Sequence, residues 1–242
     1  MRHFGLIGYP LSHSFSKNYF TEKFQKGNID ADYINIEIEN LTTIDFVKQH
    51  KLSGFNVTIP HKQNIIPFLN EVDEEAKNVG AVNTVKVLTN GDLIGYNTDV
   101  FGFRQSIKPF LESQHERALI LGTGGASKAV SYVLKNLGIY VLHASRNPKS
   151  SNEISYADVN EFVIKAHKLI VNTTPLGMFP NVETYPEIPY QYMSSEHLLY
   201  DLVYNPQQAT FLLKGKEQGA TIMNGISMLH LQAEKAWEIW NE

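Results

Sequence analysis

The chain has 242 residues, of which 43% are hydrophobic and 19% charged, with a formal net charge of -4 and no cysteine. This length is generous for one compact domain and sufficient for two, and the apolar content is that of a folded protein with a buried core. The slightly negative charge and the lack of a Lys/Arg block exclude the basic face that nucleic-acid binding requires. The absence of cysteine excludes disulfides, thiol nucleophiles and thiolate metal sites.

The first residues begin a strand-like run instead of a signal-peptide core, and no apolar stretch of the sequence approaches the ~20 residues of a membrane span. The nine histidines are scattered without ligand-like pairs, so no metal is expected. We therefore expect a cytoplasmic protein, a monomer or a homodimer, with no nucleic-acid and no membrane partner.

Short apolar runs alternate with segments of helical periodicity through the first hundred residues, which predicts parallel strands with helical crossovers. The Asn90-Gly91 pair is typical of a tight hairpin turn, which predicts an antiparallel edge that closes this first unit. The predicted elements are strands over 4–8, 33–38 and 54–59, helices over 17–26 and 41–50, and hairpin strands over 81–88 and 93–96.

After a predicted linking helix over 100–111 the alternation starts again, and its spacing fits a second, doubly wound unit. An amphipathic helix over 227–240 ends the chain and is long enough to return to the first unit. The fold class expected is α/β with two domains, one of them a Rossmann-type dinucleotide-binding domain. Its predicted elements are strands over 118–121, 139–144, 169–172, 198–201 and 221–223 and a helix from about residue 126.

A glycine-rich turn over 122–127 follows directly on the apolar strand 118–121, with the pattern G-x-G-x-x-S. Such a turn lets backbone amides at a helix N-terminus approach a pyrophosphate, whereas a turn of this composition without a ligand is the structural alternative. The expected cofactor-binding residues here are Gly122, Gly124, Gly125 and Ala126.

The next strand ends at Ser145-Arg146, where an NAD site normally places an acidic residue for the ribose 2′-hydroxyl. Arg146 instead suits a 2′-phosphate, with Ser145 and Lys149 assisting, which favours NADP over NAD. A solvated basic turn is the alternative interpretation.

Polar clusters also stand at the predicted strand ends of the first unit, where open α/β sheets bind ligands. Ser14 and Ser16 lie at a helix start, which suits a carboxylate, although helix capping explains one serine and a structural role explains His13. Lys62 follows the strand that carries Asn56 and Thr58, and a lysine there can exchange a proton, although a lone lysine is usually a solvated surface residue. Asn83 and Asp99 add an amide and a carboxylate, and Asp99 is alternatively a helix cap.

These segments resemble the shikimate dehydrogenase family, in which G-x-P-x-x-H-S-x-S, N-V-T-x-P-x-K, A-V-N-T and N-T-D recur in this order. All four motifs are present here, at residues 8–16, 56–62, 81–84 and 97–99. The glycine turn and the segments 171–178, 201–206 and 225–232 extend the resemblance over almost the whole chain.

The resemblance implies NADPH-dependent, reversible reduction of 3-dehydroshikimate to shikimate, a step of aromatic amino-acid biosynthesis. It implies a substrate domain of residues 1–99 plus 226–242, an NADP-binding Rossmann domain of residues 100–225, and a cleft that closes on ligand. Lys62 and Asp99 are the implied catalytic pair, and Ser14 and Ser16 hold the substrate carboxylate. The implied contacts to ring hydroxyls are Asn56, Thr58, Asn83, Asp99 and Gln232, and the further residues of the cofactor site are Thr173, Tyr204, Gly225 and Met228.

Three alternatives remain open from the sequence. A quinate or dual quinate/shikimate dehydrogenase shares the scaffold. It differs from a shikimate dehydrogenase in how it treats one extra ring hydroxyl of the substrate and in which nicotinamide cofactor it prefers. A non-catalytic sensor binds the ring acid without turnover. A related dehydrogenase acting on a folate one-carbon unit is the third.

Overall fold

The structure is a computed structural model and describes residues 1–11 and 14–242, so Ser12 and His13 of the first motif lie outside the described residues. The chain forms two compact units, Met1–Thr98 with Gln232–Glu242, and Asp99–Leu231. The sequence places the domain boundaries after residue 99 and before residue 226, whereas the compact units divide after Thr98 and after Leu231, inside the last helix.

The first unit is built on a mixed sheet with the strand order β2-β1-β3-β5-β6-β4. β1 pairs in parallel with β2 and β3, and β5 runs antiparallel to β3 and β6. Its elements are β1 (Arg2–Gly8), α1 (Phe15–Lys26), β2 (Ala31–Glu37), α2 (Phe46–Gln49), β3 (Leu52–Val57), a 3₁₀ helix (Ile66–Phe68), β4 (Glu71–Val72), α3 (Glu74–Val79), β5 (Thr84–Val87) and β6 (Leu93–Tyr96).

Two expectations for this unit are wrong. The hairpin of β5 and β6 does not close the sheet, because the two-residue strand β4 pairs with β6 in parallel beyond it. The helix predicted over 41–50 is limited to α2, Phe46–Gln49. Thr43 accepts a hydrogen bond from the backbone N–H of Asp45, at 3.2 Å, and such a local side-chain bond competes with helix formation.

The end of the last helix packs in the first unit through aromatic side chains. Trp240 stacks on Phe4 at 4.7 Å between ring centroids and lies 5.3 Å from Phe20. Its indole N–H donates to the carbonyl of Val85 at 3.0 Å. A Cβ on Gly54 of β3 would lie 2.4 Å from this indole nitrogen, so the strand carries glycine where the ring lies against it.

The second unit is built on a sheet whose strand pairs are all parallel, in the order β12-β11-β10-β7-β8-β9. Counted from its own first strand this is the order 3-2-1-4-5-6 of a Rossmann domain, which confirms the predicted fold class. The elements are α4 (Thr98–Ile107), β7 (Arg117–Leu121), α5 (Gly125–Asn136), β8 (Tyr140–Ser145), β9 (Glu153–Ser155), α6 (Glu161–Ala166), β10 (Leu169–Asn172), β11 (Leu198–Asp201), α7 (Thr210–Glu217), β12 (Thr221–Met223), α8 (Ile226–Asn241) and 3₁₀ helices Lys108–Phe110, Tyr156–Asp158 and Tyr190–Tyr192.

Candidate active site

The glycine turn of the second unit lies between β7 and α5, at the point where the strand order of the sheet reverses. Gly122 has a φ of 106°, a left-handed conformation that favours glycine. A Cβ on Gly124 would meet no atom within 4 Å, so open space lies over the backbone at the start of the 12-residue helix α5. This cradle, in front of free helix N–H groups that include those of Gly125 and Ala126, fits the pyrophosphate of a dinucleotide.

Thr173, at the end of the neighbouring strand β10, lies against this turn. Its backbone N–H and its hydroxyl both donate to the carbonyl of Leu121, at 3.0 and 2.7 Å. A Cβ on Gly122 would lie 2.9 Å from the Thr173 hydroxyl oxygen. The glycine turn and the segment after β10 are therefore in direct contact at the carboxyl ends of their strands, where ligands of open α/β sheets bind.

The loop after β8 carries the predicted basic residues. Ser145 is buried and its hydroxyl accepts the backbone N–H of Asn147 at 3.2 Å, while Arg146 and Lys149 are exposed. The backbone N–H of Lys149 donates to Glu153 at 2.9 Å, which leaves the lysine side chain on the outside of the loop. Two exposed cations beside the cradle fit a 2′-phosphate.

The other predicted cofactor residues follow β11 and β12. Gly225 is buried, and a Cβ there would lie 2.3 Å from the carbonyl oxygen of Leu202, so glycine is required by close backbone approach. Burial raises the pKa of the Tyr204 hydroxyl. Met228 is 6% exposed on α8, which is also compatible with a side chain that only packs in the protein interior.

The polar residues predicted for the substrate lie in the first unit except Asp99, the first residue of the second unit, and several form one buried network. Asn56 accepts a hydrogen bond from the Tyr33 hydroxyl at 2.8 Å and donates to Thr84 at 3.0 Å. Asn83 accepts the backbone N–H of Thr98 at 2.7 Å.

The network continues from Asn83, whose amide donates to the Thr98 hydroxyl at 3.1 Å. That hydroxyl is 3.4 Å from the Gln232 amide oxygen. Strands β3 and β5 and the last helix therefore bring Asn56, Asn83 and Gln232 together, although they are far apart in the sequence.

The two predicted serines have different surroundings. Ser14 is the N-cap of α1 and accepts a hydrogen bond from the backbone N–H of Lys17 at 3.4 Å. This is the helix-capping role that the sequence analysis gives as the alternative for one serine. Ser16 hydrogen-bonds to the Tyr33 hydroxyl, which donates to Asn56 and thereby connects this serine to the buried network.

Thr58 follows β3, and its backbone N–H donates to the carbonyl of Ile7 at 2.9 Å. The backbone of Lys62 is fixed through its carbonyl, which accepts the N–H of Val82 at 2.7 Å, and its side chain is half-buried. Asp99 is 6% exposed in the first turn of α4. A carboxylate in the first turn favours helix formation, so a structural role is compatible with this position too.

Several residues of these networks were not singled out from the sequence. His143 lies 3.2 Å from the Gly122 carbonyl, and burial lowers the pKa of its imidazole. Asn172 and Asp201 end the apolar strands β10 and β11, and a polar last residue on an otherwise apolar strand is the signal that could have identified them. Neither Tyr33 nor Thr84 is a polar last residue of an apolar strand, so this signal does not identify them.

Within residues 1–11 and 14–242, no helix has the length and apolarity to cross a membrane, and no group of three or more His, Asp or Glu side chains is arranged to hold a metal ion.

The Rossmann strand order, the open glycine turn and the basic loop together define the class of the protein as a nicotinamide dinucleotide-dependent dehydrogenase. The sequence model of the shikimate dehydrogenase substrate binding domain matches residues 6–85. A relative from Methanosphaera stadtmanae, shikimate dehydrogenase (NADP(+)), is 37% identical. The match covers 98% of this chain and 90% of the relative's length. The chain belongs to the shikimate dehydrogenase family.

Solved structures agree with this membership. Shikimate 5-dehydrogenase from Thermus thermophilus, in complex with NADP(H) and shikimate, superposes with a TM-score of 0.85 at 28% identity, over 99% of this chain and 93% of that one. Quinate dehydrogenase from Corynebacterium glutamicum, in complex with NAD, superposes with a TM-score of 0.86 at 25% identity, with the same coverage of both chains. The scaffold is therefore shared by enzymes of both substrates.

Proposed function

We propose that the chain catalyses the reversible reduction of 3-dehydroshikimate to shikimate with NADPH. The observation that carries the proposal is the buried network of Asn56, Asn83 and Gln232, a set of amides suited to ring hydroxyls, in a member of a family that is named for shikimate. Site amides that lose a hydroxyl partner are left unpaired, so such a network discriminates strongly between polyols.

The first unit supplies the substrate contacts in this proposal. Ser14 and Ser16 hold the carboxylate beside the N-terminus of α1, which favours negative charge. The ring hydroxyls are bound by Asn56, Thr58, Asn83, Asp99 and Gln232. We assign residues 1–99 plus 226–242 to the substrate domain and residues 100–225 to the NADP domain.

Lys62 donates a proton to the oxygen of the reacting carbonyl in the reduction and accepts it in the oxidation, and Asp99 orients that oxygen. Bound NADPH supplies the hydride. A lysine ammonium is a suitable donor because the product alkoxide is far more basic than the amine.

The second unit supplies the cofactor contacts. The turn with Gly122, Gly124, Gly125 and Ala126 binds the pyrophosphate, Arg146 with Ser145 and Lys149 binds the 2′-phosphate, and Gly225 lets the backbone approach closely. Thr173, Tyr204 and Met228 complete the site. We place the enzyme in the cytoplasm, where NADPH is available, as a monomer or a homodimer.

The test follows formation of the reduced nicotinamide at 340 nm, NADPH from NADP or NADH from NAD, with purified protein and either shikimate or quinate. Lys62→Ala is compared with Lys48→Ala, which removes an exposed lysine of the same unit. We expect turnover of shikimate with NADP, lowered by about 10²–10⁴-fold in Lys62→Ala and unchanged in Lys48→Ala.

Preference for quinate with NAD would assign the chain to the quinate enzymes. Tight shikimate binding without turnover would make it a sensor, and turnover of a folate one-carbon substrate alone would overturn the substrate assignment.

A further inference from the structure

Two buried side chains at the carboxyl edge of the second sheet have no part in the function proposed above. Asn172 and Asp201 are the last residues of β10 and β11, face each other in the strand register, and are both 0% exposed. The Asn172 amide donates to Asp201 Oδ1 at 2.9 Å. A buried carboxylate is costly unless it is paired, so its position at this edge calls for a physical reason.

The two side chains also hold the backbone segments that follow β10 and β11. Asn172 Oδ1 accepts both the backbone N–H and the hydroxyl of Thr174, at 3.0 and 2.7 Å. Asp201 Oδ1 accepts the backbone N–H of Val203 at 3.0 Å. The turn after β10 and the turn after β11 are thus held by one pair of side chains.

Both turns lie against glycines of the proposed cofactor site. A Cβ on Gly122 would lie 3.1 Å from the Thr174 methyl group. On the other side, Gly225 donates its backbone N–H to the carbonyl of Val203 at 3.3 Å. A displacement of either turn therefore reaches the backbone that lines the cradle.

Only one carboxylate oxygen of Asp201, Oδ1, accepts these hydrogen bonds. Oδ2 has no hydrogen-bond partner among the described residues. Burial raises the pKa of Asp201 to about 7, against the opposing effect of the bonds from Val203 and Asn172. The side chain thus acts chiefly as a single carbonyl-type acceptor, a role that an asparagine can fill.

We propose that Asn172 and Asp201 are positioning residues for the dinucleotide, which hold the turns 173–176 and 202–203 in the shape that accepts NADP. The inference rests on the proposed function in one respect, that NADP is the ligand. The pair touches neither reacting atom and acts through the two turns.

The experiment measures the dissociation constant of NADPH by fluorescence titration, without turnover, together with the melting temperature of the free protein. Thr174→Val removes the hydroxyl that donates to Asn172 while keeping the side-chain shape. Thr210→Val is the matched control, since it removes a hydroxyl bond to the Val182 carbonyl elsewhere in the same unit. Asp201→Leu removes the acceptor, and Asp201→Asn retains it.

We expect Thr174→Val to weaken NADPH binding about three- to tenfold and Asp201→Leu at least about tenfold, about what the loss of one or more hydrogen bonds produces. Asp201→Asn and Thr210→Val should stay within about threefold of the unmodified chain. If Asp201→Leu fails to fold, the comparison of Thr174→Val with Thr210→Val decides.

Unchanged NADPH affinity in Thr174→Val, in a free protein with an unchanged melting temperature, would overturn the inference while the proposed function stands. Failure of the unmodified chain to bind NADPH would overturn both.

Discussion

Glycine 225 marks a point where two backbone segments of the second unit lie closer together than a side chain allows. The contact is with the carbonyl oxygen of Leu202, a backbone atom that has little freedom to move. The sequence predicted a role for Gly225, in the cofactor site, only through family resemblance. The structure supplies the physical reason, which is independent of any ligand.

We predict that Gly225→Ala lowers the free energy of unfolding of the free protein by about 1–3 kcal/mol, because the new Cβ must displace backbone. Gly124→Ala is the control, since its φ of -78° suits alanine and its Cβ would meet open space. Urea denaturation without cofactor measures both. Equal stability of the two variants would contradict the close approach at Gly225.

At the scale of elements, prediction succeeded for the apolar strands at the centre of each sheet and was weaker for short elements at the edges. Helix α1 and the strands β1, β2, β3, β7, β8, β10, β11 and β12 were recognised from their apolar patterns, whereas β4 and the helix α7 were not. The six-residue helix α6 and the three-residue strand β9 hold too few repeats, and the sequence analysis assigned neither. The helix predicted over 41–50 is only four residues long, because the local hydrogen bond from Asp45 to Thr43 competes with helix formation before Phe46.

The end of the last helix packs in the core of the first unit, where Trp240 is 6% exposed. We predict that Trp240→Ala lowers the free energy of unfolding by about 3–5 kcal/mol, because it leaves a cavity and frees the Val85 carbonyl. Trp240→Phe should cost less, since the ring contacts remain and only the indole N–H is lost.

Phe162→Ala is the control for this series, because Phe162 is 81% exposed on α6. Circular dichroism during urea denaturation measures all three variants. A loss in Trp240→Ala no larger than that in Phe162→Ala would contradict the packing.

At the scale of the whole molecule, buried titratable groups are concentrated in the second unit. Among the described residues, the histidines whose pKa is lowered from 6.5, chiefly by burial, are His115, His143, His167 and His197, all in this unit. Each is held neutral in the folded state and must bind a proton on unfolding in acid. These four histidines therefore disfavour the folded second unit in acid.

We predict that the free energy of unfolding of this unit is unaffected by these histidines above pH 6.5 and decreases below it, because the unfolded chain then binds more protons. Asp201 acts in the opposite direction, since its raised pKa, about 7, makes its contribution largest in acid and lost as the pH rises through 7. Between pH 7 and pH 5.5 the two contributions oppose each other, so the effect of the histidines is measured in a variant without the Asp201 carboxyl group.

Urea denaturation at several pH values measures this slope. The measurement is made on Asp201→Asn, which removes the opposing contribution, and the stability of this variant should fall from pH 7 to pH 5.5. Adding His197→Gln should make that fall shallower. A free energy of unfolding of Asp201→Asn that rises as the pH is lowered from 7 to 5.5 would show that the histidines are not held neutral.

The sequence by itself determined the α/β class and the position of the glycine turn, because both depend on residues close together in the chain. Only the tertiary structure decided which distant side chains meet. Asn172 and Asp201 are 29 positions apart, and Trp240 is 155 positions from Val85. These pairings are set by strand order, register and the return of the last helix, and the local pattern of residues contains none of that information.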